Sequence, residues 1–197
     1  LVIEVARELR PIFFASARQF GRATHQVNPH FSDSAALMVN EAQQAWAIAS
    51  DKFNGDPNIM FKVPATEAGL EAAEQLGNLG IPLTITASCC LSQHLSFAQR
   101  MESTKASCLL TQMTGRLDES VAEELSEIGV ADAEFTSRWA STAIIRRAYS
   151  LIHEEHSFRQ SHLLVASLRG PWNIDTILTR GPEPVFITAF PDKSAEY

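Results

Sequence analysis

The chain has 197 residues, 45% of them hydrophobic and 20% charged, the make-up of one ordinary globular domain. Its 23 acidic residues outnumber 16 Lys and Arg, and the resulting charge of -7 excludes a nucleic-acid binder built on a basic stripe. No apolar run approaches the ~20 residues of a membrane helix, and three cysteines, with Cys89 and Cys90 adjacent, make no disulfide framework and suit a reducing compartment.

In chain order, residues 1–14 carry apolar positions at helical spacing (Val2, Val5, Leu9, Ile12), broken near the end by Pro11. Residues 23–27 form a short extended segment closed by Asn28-Pro29, because the residue before a proline is pushed out of the helical region. Ser32 or Asp33 caps a helix running to about Ala49, with Ala36, Met38, Val39, Ala42 and Trp46 on its buried side. Pro57 leads into an apolar strand around Lys62. Thr66 then caps a helix through Leu70, Ala73 and Leu76 to Gly77 or Gly80, with Glu67 in its first turn. Next come a strand at 82–87, a helix at about 92–102 and a strand at 106–113. Two helices between 119 and 156, a strand at 161–167, a helical turn at 173–179 and a strand at 183–189 complete the chain. Strands alternating with helices are the signature of a parallel sheet or (β/α) barrel. Polar residues gather at the strand ends: Gln26, Lys62, Thr84, Thr86, Thr111, Ser167 with Arg169, and Thr188. A barrel of this kind builds its active site at those ends. Strand-end preference alone accounts for the threonines but not for Lys62 and Arg169 together.

Lys62 is the one cation in the run Ile59-Met60-Phe61-Lys62-Val63-Pro64. A charged lysine between Phe61 and Val63 is costly to bury, and a desolvated amine is a nucleophile that forms a Schiff base with a carbonyl substrate. The alternative is a lysine on the solvent face of the strand, its stem lying over apolar neighbours.

At Lys62-Val63-Pro64-Ala65-Thr66, followed by Gly69-Leu70, Ala73, Leu76 and Gly80-Ile81, the chain resembles the transaldolase family, whose Schiff-base lysine stands in a Lys-x-Pro-Ala-Thr setting on the fourth strand of a barrel. Ile85-Thr86-Ala87-Ser88-Cys89 with Gln93 is similar to the family's fifth-strand segment, and Gly115-Arg116-Leu117-Asp118 to the stretch after its sixth. Ala166-Ser167-Leu168-Arg169 is similar to its seventh strand, and Val27-Asn28-Pro29-His30 to the end of its third. The resemblance implies an α/β (β/α)8 TIM barrel of which this chain carries strands 3 to 8, as a single partial domain over residues 1–197. It implies that Lys62 attacks a ketose phosphate to form the imine, and that Thr86 holds a water for proton relay. Thr111 and Ser167 would bond substrate hydroxyls, while Arg116 and Arg169 would hold the phosphate; the alternative for each arginine is a surface ion pair. No metal or organic cofactor is implied.

The chain departs from the family in three places. Gln26 stands where the family has a glutamate, so it can hold the same water but not shuttle its proton. Thr84 stands where a substrate-binding asparagine is expected. The two preceding strands, which carry the family's aspartate base and a further asparagine, are absent, and the start at Leu1 inside a helical pattern reads as a cut in a longer polypeptide. Sugar phosphates are the expected partners, with no nucleic acid and no membrane, and a homo-oligomer stays open. The expected compartment is the cytoplasm, or a plastid stroma if a transit peptide was removed. Three readings stand: a transaldolase, a catalytically weakened relative that binds sugar phosphate or a protein, and a related aldolase that releases the three-carbon unit.

Other signals are set aside. His153-Glu154-Glu155-His156 lacks the spacing of a metalloprotease helix and reads as a solvated helix end. Cys89-Cys90 reads as packed core, since adjacent cysteines bridge only with strain. Asp118 and Glu119 read as helix caps.

Overall fold

The apolar spacing at the start of the chain folds as α1 (Val2–Ala15), which buries Ala6 and Phe13. The structure, a computed structural model, describes residues 1–188. Helix α1 does not break at Pro11; the proline sits inside it. A mid-helix proline removes one backbone hydrogen bond and crowds the preceding turn. Beyond it, Phe13 is only 2% exposed, and burying such a ring is worth ~1.5–3 kcal/mol, which offsets part of the ~3 kcal/mol that an interior proline costs.

The following elements are β1 (Ala23–Gln26), α2 (Ala35–Lys52), β2 (Ile59–Pro64), α3 (Glu67–Asn78), β3 (Leu83–Ser88), α4 (Leu91–Glu102) and β4 (Cys108–Met113). Then come α5 (Thr114–Glu127), α6 (Ala133–Ser137), α7 (Ala140–Tyr149), β5 (Ser161–Ala166), α8 (Pro171–Arg180) and β6 (Phe186–Ile187). Among the described residues the strands form one sheet in the order β1-β2-β3-β4-β5-β6. The β1–β2 and β5–β6 pairs are parallel. Sheet order follows chain order without the reversal of a doubly wound sheet, which is the winding of a (β/α) barrel wall.

The chain divides into two compact units: residues 1–85 with 100–108, and residues 86–99 with those from 109 onward. In the first unit Phe61 of β2 is fully buried. Its ring meets His25 of β1 at 5.4 Å between centroids and Trp46 of α2 at 6.4 Å. Asn58, also fully buried, donates to the carbonyls of Ala6 (2.7 Å) and Gly21 (2.8 Å), tying α1 to the entry of β2. In the second unit Ile145, Ala148 and Ile152 are buried, as are Leu163 and Val165 of β5.

Several local expectations are corrected. The cap of α2 is Ser34, not Ser32 or Asp33: residues Pro29–Phe31 form a 3-10 turn, and Ser34 is the residue with the extended backbone a cap needs, its side chain accepting from Leu37 N–H. Three helices, not two, lie between β4 and residue 150, since α5 starts directly after β4 and ends where Gly129 takes a φ of +77°. A π-helical turn, Ser150–Glu155, extends α7. The helical turn at 173–179 is a full helix, α8, begun at Pro171, where a missing N–H costs nothing. The last strand is shorter than 183–189, because Pro182 and Pro184 cannot donate to a ladder; residue 189 lies outside the described residues. Cys90 is exposed and Cys89 half-buried, so this pair is not packed core. It sits where β3 gives way to α4, and the Cys90 thiol meets the Gln93 carboxamide oxygen at 3.1 Å.

Candidate active site

In the first unit the strand periodicity places Lys62 near the carboxyl end of β2, half-buried between the fully buried Phe61 and Val63. Directly after it the chain turns into α3. Thr66 caps that helix by accepting from Gly69 N–H (3.0 Å), and its hydroxyl donates to the Ser32 carbonyl at 2.9 Å. Gly69 is required there, for a Cβ would lie 1.9 Å from the Pro64 carbonyl oxygen. The Lys-x-Pro-Ala-Thr stretch thus presents its lysine from a strand end that α3 locks from behind.

Gln26 pairs with Lys62 in the β1–β2 register. Its side chain is exposed and turned onto the backbone, with Nε2 donating to Val27 O (3.1 Å) and Lys62 O (3.3 Å). Thr84 of β3 is buried, and its hydroxyl has no partner. An unsatisfied buried hydroxyl costs free energy.

The second unit contains Thr86, Thr111, Arg116, Ser167 and Arg169. Thr86 is half-buried on β3, one residue before Ala87, whose φ is +57°. Thr111 of β4 is buried with an unpartnered hydroxyl, and its carbonyl accepts from Ser88 Oγ. Ser167 follows β5 with a φ of +65°, a left-handed conformation uncommon outside glycine. Its carbonyl accepts from Gly115 N–H at 3.0 Å. A Cβ on Gly115 would stand 2.4 Å from that carbonyl oxygen and 2.6 Å from Arg169 Cγ, so only glycine lets the start of α5 approach the Ser167–Arg169 loop.

Arg169 is engaged. Its Nε donates to Glu119 Oε1 (2.6 Å) and Nη2 to Oε2 (3.4 Å), while Nη1 donates to Ser167 Oγ (2.9 Å). Arg116, exposed in the first turn of α5, acts on the same carboxylate through its charge. The hydrogen bond from Arg169 holds Glu119 below the ordinary carboxylate value, against slight desolvation, and the charges of Arg169 and then Arg116 add to this. Glu119 therefore occupies the place where two guanidinium charges converge. It is no helix cap, because an exposed arginine fork claims both its oxygens.

Asp118 does serve a helix terminus, but that of α7. Ser141 N–H in the first turn of α7 donates to Oδ1 (3.2 Å), and Asn173 Nδ2 donates to Oδ2 (3.2 Å). Burial pushes the Asp118 carboxyl up to about 6, opposed by the hydrogen bonds from Ser141 and Asn173. Sequence reading passed over Asn173. The signal was available: a polar side chain at the third position of a helix can reach back to the backbone before it, and Asn173 Oδ1 accepts from Arg169 N–H at 2.8 Å.

Among the described residues no group of three His, Cys, Asp or Glu side chains is placed to hold a metal ion, and no helix is long and apolar enough to cross a membrane. The chain is 28% identical over 159 residues to transaldolase 1 of Streptomyces avermitilis, covering 74% of this chain and 40% of that protein. It is 29% identical over 166 residues to transaldolase 2 of Streptomyces coelicolor, covering 78% and 43%. Against the transaldolase of Thiobacillus denitrificans it is 25% identical over 191 residues, covering 91% and 48%. The chain thus spans less than half the length of these relatives. The family described as Transaldolase/Fructose-6-phosphate aldolase matches residues 1–192, and the chain belongs to it.

Proposed function

We propose that this chain supplies strands 3 to 8 of a (β/α)8 barrel, as one partial domain, and carries a transaldolase-type transfer of a dihydroxyacetone unit between sugar phosphates, in the pentose phosphate branch of carbohydrate metabolism. The observation that carries the reading is Lys62 itself, near the carboxyl end of a sheet strand in a Lys-Val-Pro-Ala-Thr stretch that resembles the family's Lys-x-Pro-Ala-Thr setting. Its amine attacks the ketose carbonyl, and the imine then accepts the electron pair of the breaking carbon–carbon bond. Thr86 holds the water that relays protons to and from the carbinolamine. The unpartnered hydroxyls of Thr84 and Thr111 take up substrate hydroxyls. Ser167 bonds a further substrate hydroxyl, and Arg116 and Arg169 bind the phosphate, whose dianion is the better partner for two guanidinium groups than the single carboxylate of Glu119. A reducing compartment, the cytoplasm or a plastid stroma, suits the three thiols. Borohydride reduction in the presence of fructose 6-phosphate tests the reading: peptide mass spectrometry should find the added mass on Lys62, and an unmodified Lys62 sinks it. Product analysis separates transfer from release of the three-carbon unit.

One observation favours the weakened relative. The Gln26 amide is spent on two backbone carbonyls, where it relays no proton. Gln26→Glu removes both donors, so the new carboxylate swings off the backbone and becomes available as an acid–base group. We expect turnover to rise about tenfold or more, the low end of what a positioned acid–base group contributes being ~10²-fold. No rise, together with no sugar-phosphate binding by the native protein, would move the assignment to a binding or interaction protein.

Glu119 gives a further check. Glu119→Gln leaves the guanidinium of Arg169 without its charged partner, so KM for a phosphorylated ketose should fall while kcat stays within a factor of about two. A rise in KM would mean that the ion pair holds Arg169 ready instead of competing with substrate.

A further inference from the structure

The polar chain behind Arg169 has a fixed hydrogen-bond direction. Ser141 N–H and Asn173 Nδ2 both donate to the Asp118 carboxylate, at 3.2 Å each. That second bond orients the Asn173 amide so that its oxygen, not its nitrogen, faces Arg169 N–H, at 2.8 Å. Asp118 and Asn173 are buried, 7% and 2% exposed, so water cannot replace a lost partner at little cost. On its other side the same loop is held by Gly115 N–H on the Ser167 carbonyl.

We propose that Asp118 and Asn173 are positioning residues for anion binding, setting the backbone of Arg169 and through it the direction of its guanidinium fork. This rests on the reading that Arg169 binds the substrate phosphate. An arginine fork matches an anion only in a narrow set of orientations, and the Arg169 side chain is otherwise steadied only by exposed contacts to Glu119 and Ser167. The buried pair therefore fixes the backbone from which the fork extends, and Glu119 and Ser167 hold its far end.

The direction of the bonds makes a strict test. In Asp118→Asn the new amide can accept from Ser141 N–H only by turning its own N–H groups toward Asn173. If Asn173 keeps its place, two donors face each other. If it flips, its nitrogen meets Arg169 N–H. One bond is lost either way. Asn173→Asp fails for the opposite reason, placing two carboxylates together. The reciprocal double change, Asp118→Asn with Asn173→Asp, restores every bond. The amide at position 118 then donates to the carboxylate at position 173, which still accepts from Arg169 N–H.

The experiment titrates the protein with inorganic phosphate at pH 8, read from the Arg169 resonances, and measures hydrogen exchange of the Arg169 amide. Asp118→Asn should weaken phosphate binding about tenfold, the order of one lost hydrogen bond to a charged group, and speed exchange at Arg169. The double variant should recover both. Should Asp118→Asn fold poorly, Asn173→Ala, which leaves the Asp118–Ser141 bond intact, should show the same loss. Faster exchange with unchanged phosphate affinity would make the network a structural brace and overturn the proposal, as would a double variant no better than the single one. If native Arg169 does not respond to phosphate at all, the phosphate-binding role of Arg169 itself fails, and the positioning role with it.

Discussion

On the proposed Schiff-base role of Lys62, Lys62→Met should abolish the borohydride-trapped adduct and lower turnover by more than the ~10²- to 10⁴-fold that a lost acid–base group costs, because the covalent route itself would disappear. Methionine nearly reproduces the length and apolar stem of lysine, and swaps that conserve volume cost under about 1.5 kcal/mol in a packed setting. Phe61 and Val63, which flank the site and are fully buried, keep their places on the opposite face of β2. The variant should therefore melt with the native protein while losing its chemistry. An adduct that persists in Lys62→Met would assign the nucleophile to another amine and remove the mechanism's central group.

Phe61→Ala should cost about 3–5 kcal/mol of stability, the range for emptying a fully buried aromatic site. The ring is 0% exposed, and it is where α2 and β1 meet β2 through Trp46 and His25. Those neighbours belong to the sheet and a helix at once, so they cannot both collapse into the space. Urea unfolding measures the loss, with Leu178→Ala as the reference: Leu178 is 54% exposed on α8, and surface truncations stay within about 0.5 kcal/mol. A cost for Phe61→Ala below about 1.5 kcal/mol would mean that this ring is not a keystone of the first unit.

What can be read along the chain follows how far each signal reaches. Lys62, its strand and the Thr66 cap are visible because alternation, proline position and a capping hydroxyl act within a few residues. The order of strands and helices follows from the same local patterns. Errors fell where two local rules compete. Pro11 argues for a break, yet the helix continues through it and buries Phe13; Ser32, Asp33 and Ser34 are all good caps, and only the 3-10 turn before them selects Ser34. Adjacent cysteines look like core by composition, yet their place at the end of β3 leaves Cys90 in solvent.

By itself the sequence determined the alternation of strands and helices, the lysine near a strand end and the Thr66 cap that follows it. Only the tertiary structure decided the partners of the phosphate-binding candidates. Glu119 meets Arg169 across 50 residues and Asn173 meets Asp118 across 55, separations at which no periodicity or capping rule operates. Hydrogen bonds between such groups depend on which loop ends the folded backbone brings within ~3 Å, and that distance exists only once α5, α7 and α8 are packed.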